Sequence, residues 1–212
     1  MPEQTATTRR EDCYRLLAAC YYSPSQALLE ENCCISLAGL LSDMAPDAAA
    51  SAAEAAELLH KISLDELVVE HSRLFMGPFK LVAPPYGSVW LDEQKSVMGD
   101  STAKVAAFYH ANGLHLADDF HELPDHFAVE LEFMSYLAFK QREAAAAGDT
   151  PEADRLRDLQ RQFLGTFLLP WLGPFTDAVI EDAEAPFYQA IARCTAAFVT
   201  ADARNLNAAA HV

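Results

Sequence analysis

His115, His121, Glu122, His126 and Glu130 lie close together in the sequence, and these are residue types that ligate metals or move protons. His126 and Glu130 stand one helical turn apart. A di-iron helical bundle would need Glu-x-x-His on each of two helices. Here Glu122 and His126 have Pro124 between them, no H-E-x-x-H occurs, and no second ligand helix matches. A metal-dependent helical hydrolase or oxygenase working through His121, His126 and Glu130 is therefore the alternative reading. A capped helix start with solvated side chains accounts for the same residues.

Nucleophilic chemistry has less to stand on. Ser88 sits in Y-G-S-V-W rather than G-x-S-x-G, and no base is positioned beside Cys20 or Cys194. Neither a Walker loop nor G-x-G-x-x-G is present. No catalytic residue, cofactor or metal is assigned, and the chain is not read as an enzyme.

Asp125 and His126 read differently. Asp125 falls at a helix start, where an anion is favoured and caps free N–H groups. His126 is placed to border any cleft formed by the loop 77–91. That loop is longer than usual, which points to function. Pro84-Pro85 extends it, and Tyr86 and Trp90 give it apolar faces with polar handles. An aromatic-proline loop over a helical groove suits an apolar peptide preceded by basic residues. Asp92, Glu93, Asp118, Asp119, Glu122 and Asp125 are candidates for an acidic rim. A connector whose aromatics plug the core, and a cap beside a surface histidine, are the plainer accounts.

The elements that must hold these residues are helical throughout. Tyr14, Leu17, Ala18 and Tyr21 share a face over 9–22, and Ser23-Pro24 opens a second helix to about Ser42 with Ile35, Leu37 and Leu41 inward. An Ala-rich helix follows over 48–61. Ser63 and Glu66 form a capping box for a helix presenting Leu67, Val68, His71, Leu74 and Phe75, which ends near Gly77-Pro78. Short turns over 92–98 lead to a helix ending at Asn112-Gly113, with Val105, Phe108 and Tyr109 inward. Pro124 opens the longest amphipathic pattern, to about 147. Gly148 to Pro151 is a hinge, and Pro170 and Gly173-Pro174 bend the chain after the next helix. Pro186 opens the last helix, with fraying after about Arg204. The fold class is all-α, a bundle of about ten helical segments, expected as one domain over 1–212.

Composition narrows the partners. The 212 residues carry 15 Lys+Arg against 31 Asp+Glu, a net charge of −16, so no nucleic-acid partner is expected. No apolar run approaches the roughly 18 residues of a membrane span, so no stable membrane insertion is expected either. Arg9-Arg10 mimics an export signal, but Glu11, Asp12 and Arg15 interrupt it. Five cysteines with no C-x-x-C suggest a reducing, cytoplasmic compartment and small core thiols.

Taken together, Glu70-His-Ser-Arg-Leu-Phe75, Gly77-Pro78, Pro84-Pro85-Tyr86-Gly-Ser88-Val-Trp90, Gly99-Asp-Ser-Thr102 and the passage from Asp119 through Pro124-Asp125-His126 and Glu130 to Met134 resemble the TorD/DmsD/NarJ family of redox-enzyme maturation chaperones. The resemblance covers roughly 66–175. It implies a cytoplasmic chaperone that binds the twin-arginine signal peptide, the body, or both, of an apo-form molybdopterin-containing oxidoreductase and holds it for cofactor insertion before export. It places peptide binding on Leu74, Phe75, Tyr86, Ser88, Trp90, Asp92, Pro124, Asp125, His126 and Glu130, in a monomer or homodimer. Some relatives carry Trp where this chain has Phe79 or Tyr86, a departure that bears on which client is read.

Overall fold

A computed structural model describes residues 2–77, 82–114 and 122–208. It is all-α: α1 (Pro2–Tyr21), α2 (Gln26–Glu30), α3 (Cys33–Leu41), α4 (Pro46–Leu59), α5 (Leu64–His71), α6 (Gly87–Leu91), α7 (Asp100–Ala111), α8 (Phe127–Ala146), α9 (Thr150–Phe163), α10 (Leu169–Asp182) and α11 (Pro186–Ala208). Ser72–Met76 and Leu164–Leu168 are π turns. No strand occurs among the described residues.

The bundle is organised around α1 and α8, which lie side by side. Buried Tyr14, Leu17, Ala18 and Tyr21 recur at helical spacing on α1, and Phe127, Leu131, Met134 and Ala138 do so on α8. On α4, the small buried residues Ala48, Ala52 and Ala55 let the backbone of α11 approach closely. Across the centre, Arg10 donates to both Asp202 oxygens (Nε–Oδ1 2.5 Å, Nη2–Oδ2 2.9 Å) and to Gln160 Oε1 (2.7 Å), while Tyr14 donates to Asp202 at 2.9 Å. The second arginine of the apparent export signal is thus a core ion-pair partner within α1.

Several expected boundaries hold. Ser63 and Glu66 form the full capping box. Asp149 caps α9 by accepting from Glu152 N at 3.1 Å, with Gly148 at φ 75° in the hinge before it.

Others shift for visible reasons. The expected helix from Ser23 to Ser42 is two helices, because Asn32 adopts a left-handed conformation (φ 51°) between them. The break rotates α3, so Ile35 is 51% exposed rather than inward. Pro170 and Gly173-Pro174 do not bend the chain out of helix: α10 runs through Pro174. The π turn just before it shifts the hydrogen-bond ladder ahead of Pro170, which lies in the first turn of α10. The helical run Thr150–Asp182 is long and apolar enough on composition to cross a membrane, but half of its apolar window is buried, as in a core helix. The loop 77–91 contains a helical turn, α6. The last helix continues to Ala208 and buries Leu206.

Candidate functional site

Two segments cross at the expected site. Gly87 N donates to Asp125 O at 2.9 Å and Phe127 N to Pro85 O at 2.8 Å, so Tyr86 and His126 form an isolated antiparallel bridge. The extended backbone that Pro84-Pro85 imposes makes the first segment a suitable partner. The Trp90 loop and the Asp125-His126 corner are therefore one structural unit.

The structure reassigns Asp125. It does not cap α8; it is fully buried, and its Oδ2 accepts from Ser88 N at 2.8 Å, joining the start of α6 to the start of α8. His126 takes the capping role instead, with Nδ1 accepting from Ala128 N at 3.2 Å. α8 consequently begins at Phe127 rather than Pro124. Ser88 is also fully buried, and among the described residues Ser88 Oγ and Asp125 Oδ1 have no hydrogen-bond partner.

Beneath the crossing lies a carboxyl that is kept neutral. Glu130 is 1% exposed, and its Oε2 accepts from Trp171 Nε1 at 3.3 Å. Burial, reinforced by the nearby Asp125, pushes its pKa well above the usual carboxylate range. Gly87 packs closely above this pair. A Cβ there would lie 3.3 Å from Trp171 Nε1 and 3.6 Å from Glu130 Oε1.

His126 lies flat on Tyr22 (centroids 5.8 Å, 4° between planes) and edge-on to Tyr86 (5.2 Å, 74°). Burial, with His71 adding repulsion, lowers its pKa to about 4. The ring is neutral near pH 7, and since Nδ1 accepts a hydrogen bond, Nε2 carries the proton. Glu122 stands 4.0 Å from that nitrogen and also accepts from Tyr86 OH at 3.2 Å. Burial works against the charged form of both side chains, lowering the pKa of His126 and raising that of Glu130. His121, the third residue of the metal alternative, lies outside the described residues.

Trp90 anchors the accessible face. Its Nε1 donates to Pro84 O at 2.8 Å and its ring meets Phe175 edge-on at 6.3 Å, leaving the indole half-buried. Exposed Leu91, Val97 and Met98 follow it. Tyr86 and Pro124 are also half-buried, and Pro124 O accepts from Tyr109 OH at 3.0 Å. Leu74 and Phe75 lie fully beneath, Phe75 among Tyr21, Phe175 and Tyr188. Leu74 O accepts from Ala83 N at 2.9 Å, so the π turn supports the loop from below.

The acidic rim thins on inspection. Asp92 caps α7: Oδ1 accepts from Ser101 Oγ at 2.5 Å and Oδ2 from Ser101 N at 3.0 Å. Those bonds hold its pKa below the usual carboxylate range. Asp125 is buried, and Asp118 and Asp119 fall outside the described residues. Glu93 is exposed and Glu122 half-buried.

Three features went unread in the sequence. Tyr22 is the platform under His126, and Trp171 is the partner of Glu130; no local spacing announces either. Glu70 accepts from Arg73 twice (2.7 and 2.8 Å) and from Glu184 N and Ala185 N (2.6 and 3.1 Å), tying α5 to the start of α11. The i, i+3 spacing of Glu70 and Arg73 was its available signal. Beside this knot is a recess of about 620 Å³ lined by Leu58, Ile62, Val69 and Phe187, with Asp65 and Glu184 at its border.

Comparison with known proteins gives a consistent neighbourhood. A family model described as nitrate reductase delta subunit matches residues 41–177. The Tat proofreading chaperone DmsD of Salmonella typhimurium is 37% identical over 119 residues, 56% of this chain and 52% of that protein. The chain thus spans about half the length of that relative. The chaperone protein TorD of Shewanella sp. MR-4 is 31% identical over 176 residues, 79% of this chain and 78% of its own. A crystal structure of a redox enzyme maturation protein from Archaeoglobus fulgidus shares the fold with a TM-score of 0.59, at 24% identity, over 90% of this chain and 93% of that one.

Proposed function

Because the chain belongs to the TorD/DmsD/NarJ family of redox-enzyme maturation chaperones, we propose that it is a system-specific cytoplasmic chaperone of a molybdopterin-containing oxidoreductase. It binds the twin-arginine leader of the apo-form client, the client body, or both, and holds it for cofactor insertion before export. It does so by contact, without covalent chemistry. The observation that carries this reading is the Tyr86–His126 bridge, which joins the Trp90 face to the buried Asp125-His126 corner as one unit.

The physical match is between an apolar ledge and an apolar leader helix. Trp90, Leu91, Val97 and Met98 are available for it. Burying roughly 400 Å² of apolar leader is worth about 10 kcal/mol gross at ~25 cal/mol/Å². Ordering costs remove much of that, which leaves micromolar or tighter binding. The net charge of −16 draws in the basic end of the leader as a long-range field. No ring of carboxylates is needed at the contact.

A synthetic leader with paired arginines and an apolar segment, followed by fluorescence anisotropy, tests this. Trp90→Ala removes a hot-spot side chain of about 2 kcal/mol and should weaken binding about 30-fold in a variant that stays folded. A second reading has its own observation: the 620 Å³ recess has an apolar lining, with Asp65, Glu66 and Glu184 beside Lys61 and Arg73. If Val69→Asp abolishes binding while Trp90→Ala leaves it unchanged, the leader sits in that recess and the ledge reading is wrong.

A further inference from the structure

Three thiols converge where α1 ends and α3 begins. Cys20 is on the last turn of α1, and Cys33 and Cys34 open α3. Their sulfurs all lie within 4.8 Å of one another, and Cys20 and Cys33 are 3.9 Å apart. Neighbouring residues on a helix point about 100° apart, so one partner faces both Cys33 and Cys34 only from between them. The left-handed turn at Asn32 aims the α3 start back onto α1. A thiolate–d¹⁰ metal bond of about 2.3 Å puts three trigonal sulfurs about 4 Å apart. The observed triangle is within about 1 Å of that geometry.

The cluster is buried but reachable. Cys33 is 4% exposed and lines a recess of about 240 Å³ with Arg15, Tyr22 and Leu28. Cys20 and Cys33 both direct their S–H toward Leu16 O, at 3.4 and 3.5 Å, so the protons point at one acceptor on the inner side. The start of α3 adds its partial positive charge. Cys13 and Cys194 are held as inert thiols by burial, which pushes Cys13 up to about 12.

We propose that Cys20, Cys33 and Cys34 form a three-sulfur site for a soft monovalent cation, Cu(I). Three soft ligands, with no fourth His, Cys, Asp or Glu donor grouped with them among the described residues, suit trigonal Cu(I) better than tetrahedral Zn(II). Loading replaces three S–H bonds by three S–Cu bonds and releases three protons to solvent. Copper enters and stays as Cu(I), so no electron moves. Affinity rises with pH as the thiols ionise. The proposal is independent of leader binding.

The test is anaerobic titration of the full chain with Cu(I) against a chromophoric Cu(I) chelator, with X-ray absorption on the loaded protein. The expected result is one equivalent bound with three sulfur neighbours at about 2.3 Å. Cys33→Ser should lower affinity more than the roughly 10–100-fold that loss of an outer-shell residue costs. Cys194→Ser should bind as the unaltered protein does. Alkylation mapping of the unaltered protein covers the case of an unfolded variant: bound Cu(I) should shield Cys33 from iodoacetamide. Binding below one equivalent, a two-sulfur shell, unshielded Cys33, or loss of two thiols to a Cys20–Cys33 disulfide with no copper retained would overturn it.

Discussion

Glu130→Gln separates the two titrating groups at the crossing by their opposite pH slopes. Glu130 is protonated in the folded chain well above the 4.5 at which an unperturbed carboxyl ionises. Above that pH the unfolded chain has lost a proton that the folded chain keeps. Folding stability therefore falls by about 1.4 kcal/mol per pH unit, until Glu130 itself ionises in place. His126 works the other way. Its pKa is depressed from 6.5 to about 4, so between those values only the unfolded chain binds its proton. Its contribution is complete above 6.5 and is lost as pH falls toward about 4, again at about 1.4 kcal/mol per unit. Between 4.5 and 6.5 the Glu130 and His126 slopes oppose each other. Glutamine keeps an acceptor for Trp171 Nε1 and has no proton to lose. Any cost of its buried amide is a constant offset, so the slope is the measurement. Urea unfolding at half-unit steps from pH 4 to 8 should show the gap between variant and wild type widening by about 1.4 kcal/mol between pH 5 and 6. The variant should gain stability with pH more steeply than wild type up to 6.5, since His126 and the likewise buried His71 act in both. Parallel curves would refute the assignment of a neutral Glu130.

Asp202→Ala leaves Arg10 in the core without its carboxylate and should cost about 3–5 kcal/mol in chemical unfolding, with the leader affinity of the remaining folded fraction unchanged. Gly99→Ala puts a methyl group against the Asp92 carboxylate, displacing the cap of α7; thermal and urea unfolding should register a loss of about 1 kcal/mol. Asp125→Ala strands Ser88 N and should cost about 1–3 kcal/mol. It should also raise hydrogen exchange at Gly87 and Ser88, whereas Asp125→Asn, which keeps an acceptor, should recover most of both. If both Asp125 variants bind leader like wild type with unaltered exchange, the crossing does not need this hydrogen bond.

The parts of the fold that were legible in the sequence rest on local physics. The Ser63–Glu66 box, the Gly148 hinge and the α1 and α8 stripes each follow from spacing within a turn or two, and each is present. What failed needed longer-range information. Asn32 has no neighbour that demands a left-handed turn, so the break before α3 and the exposure of Ile35 were not visible. Pro174 reads locally as a stop, yet the helix runs through it, with Phe175 packed among Phe75, Trp90 and Phe127. At the candidate site, the chain brings Tyr86 and His126 together, while the contacts of Asp125, His126 and Glu130 are set by partners that local spacing does not reveal. Asp125 took Ser88 N, which released the helix start to His126, and Trp171 arrived from α10 to cover Glu130.

That division of labour constrains how such a site can recognise a peptide. Asp125 and Ser88 use their polar groups to join two chain segments, and Glu130 is neutral, so none of them presents a charge to an incoming arginine. Charge attraction must come from the field of the whole molecule, which salt screens beyond about 10 Å at 0.1 M. Grip must come from the half-buried rings and the exposed Leu91, Val97 and Met98, which salt scarcely weakens. Raising ionic strength should therefore slow association of a basic leader several-fold while its dissociation rate stays nearly constant in stopped-flow. A dissociation rate that climbs in step with salt would instead mean that arginines are held by direct ion pairs. The acidic groups responsible would then have to be sought in Glu93 and Glu122 rather than in Asp92 or Asp125.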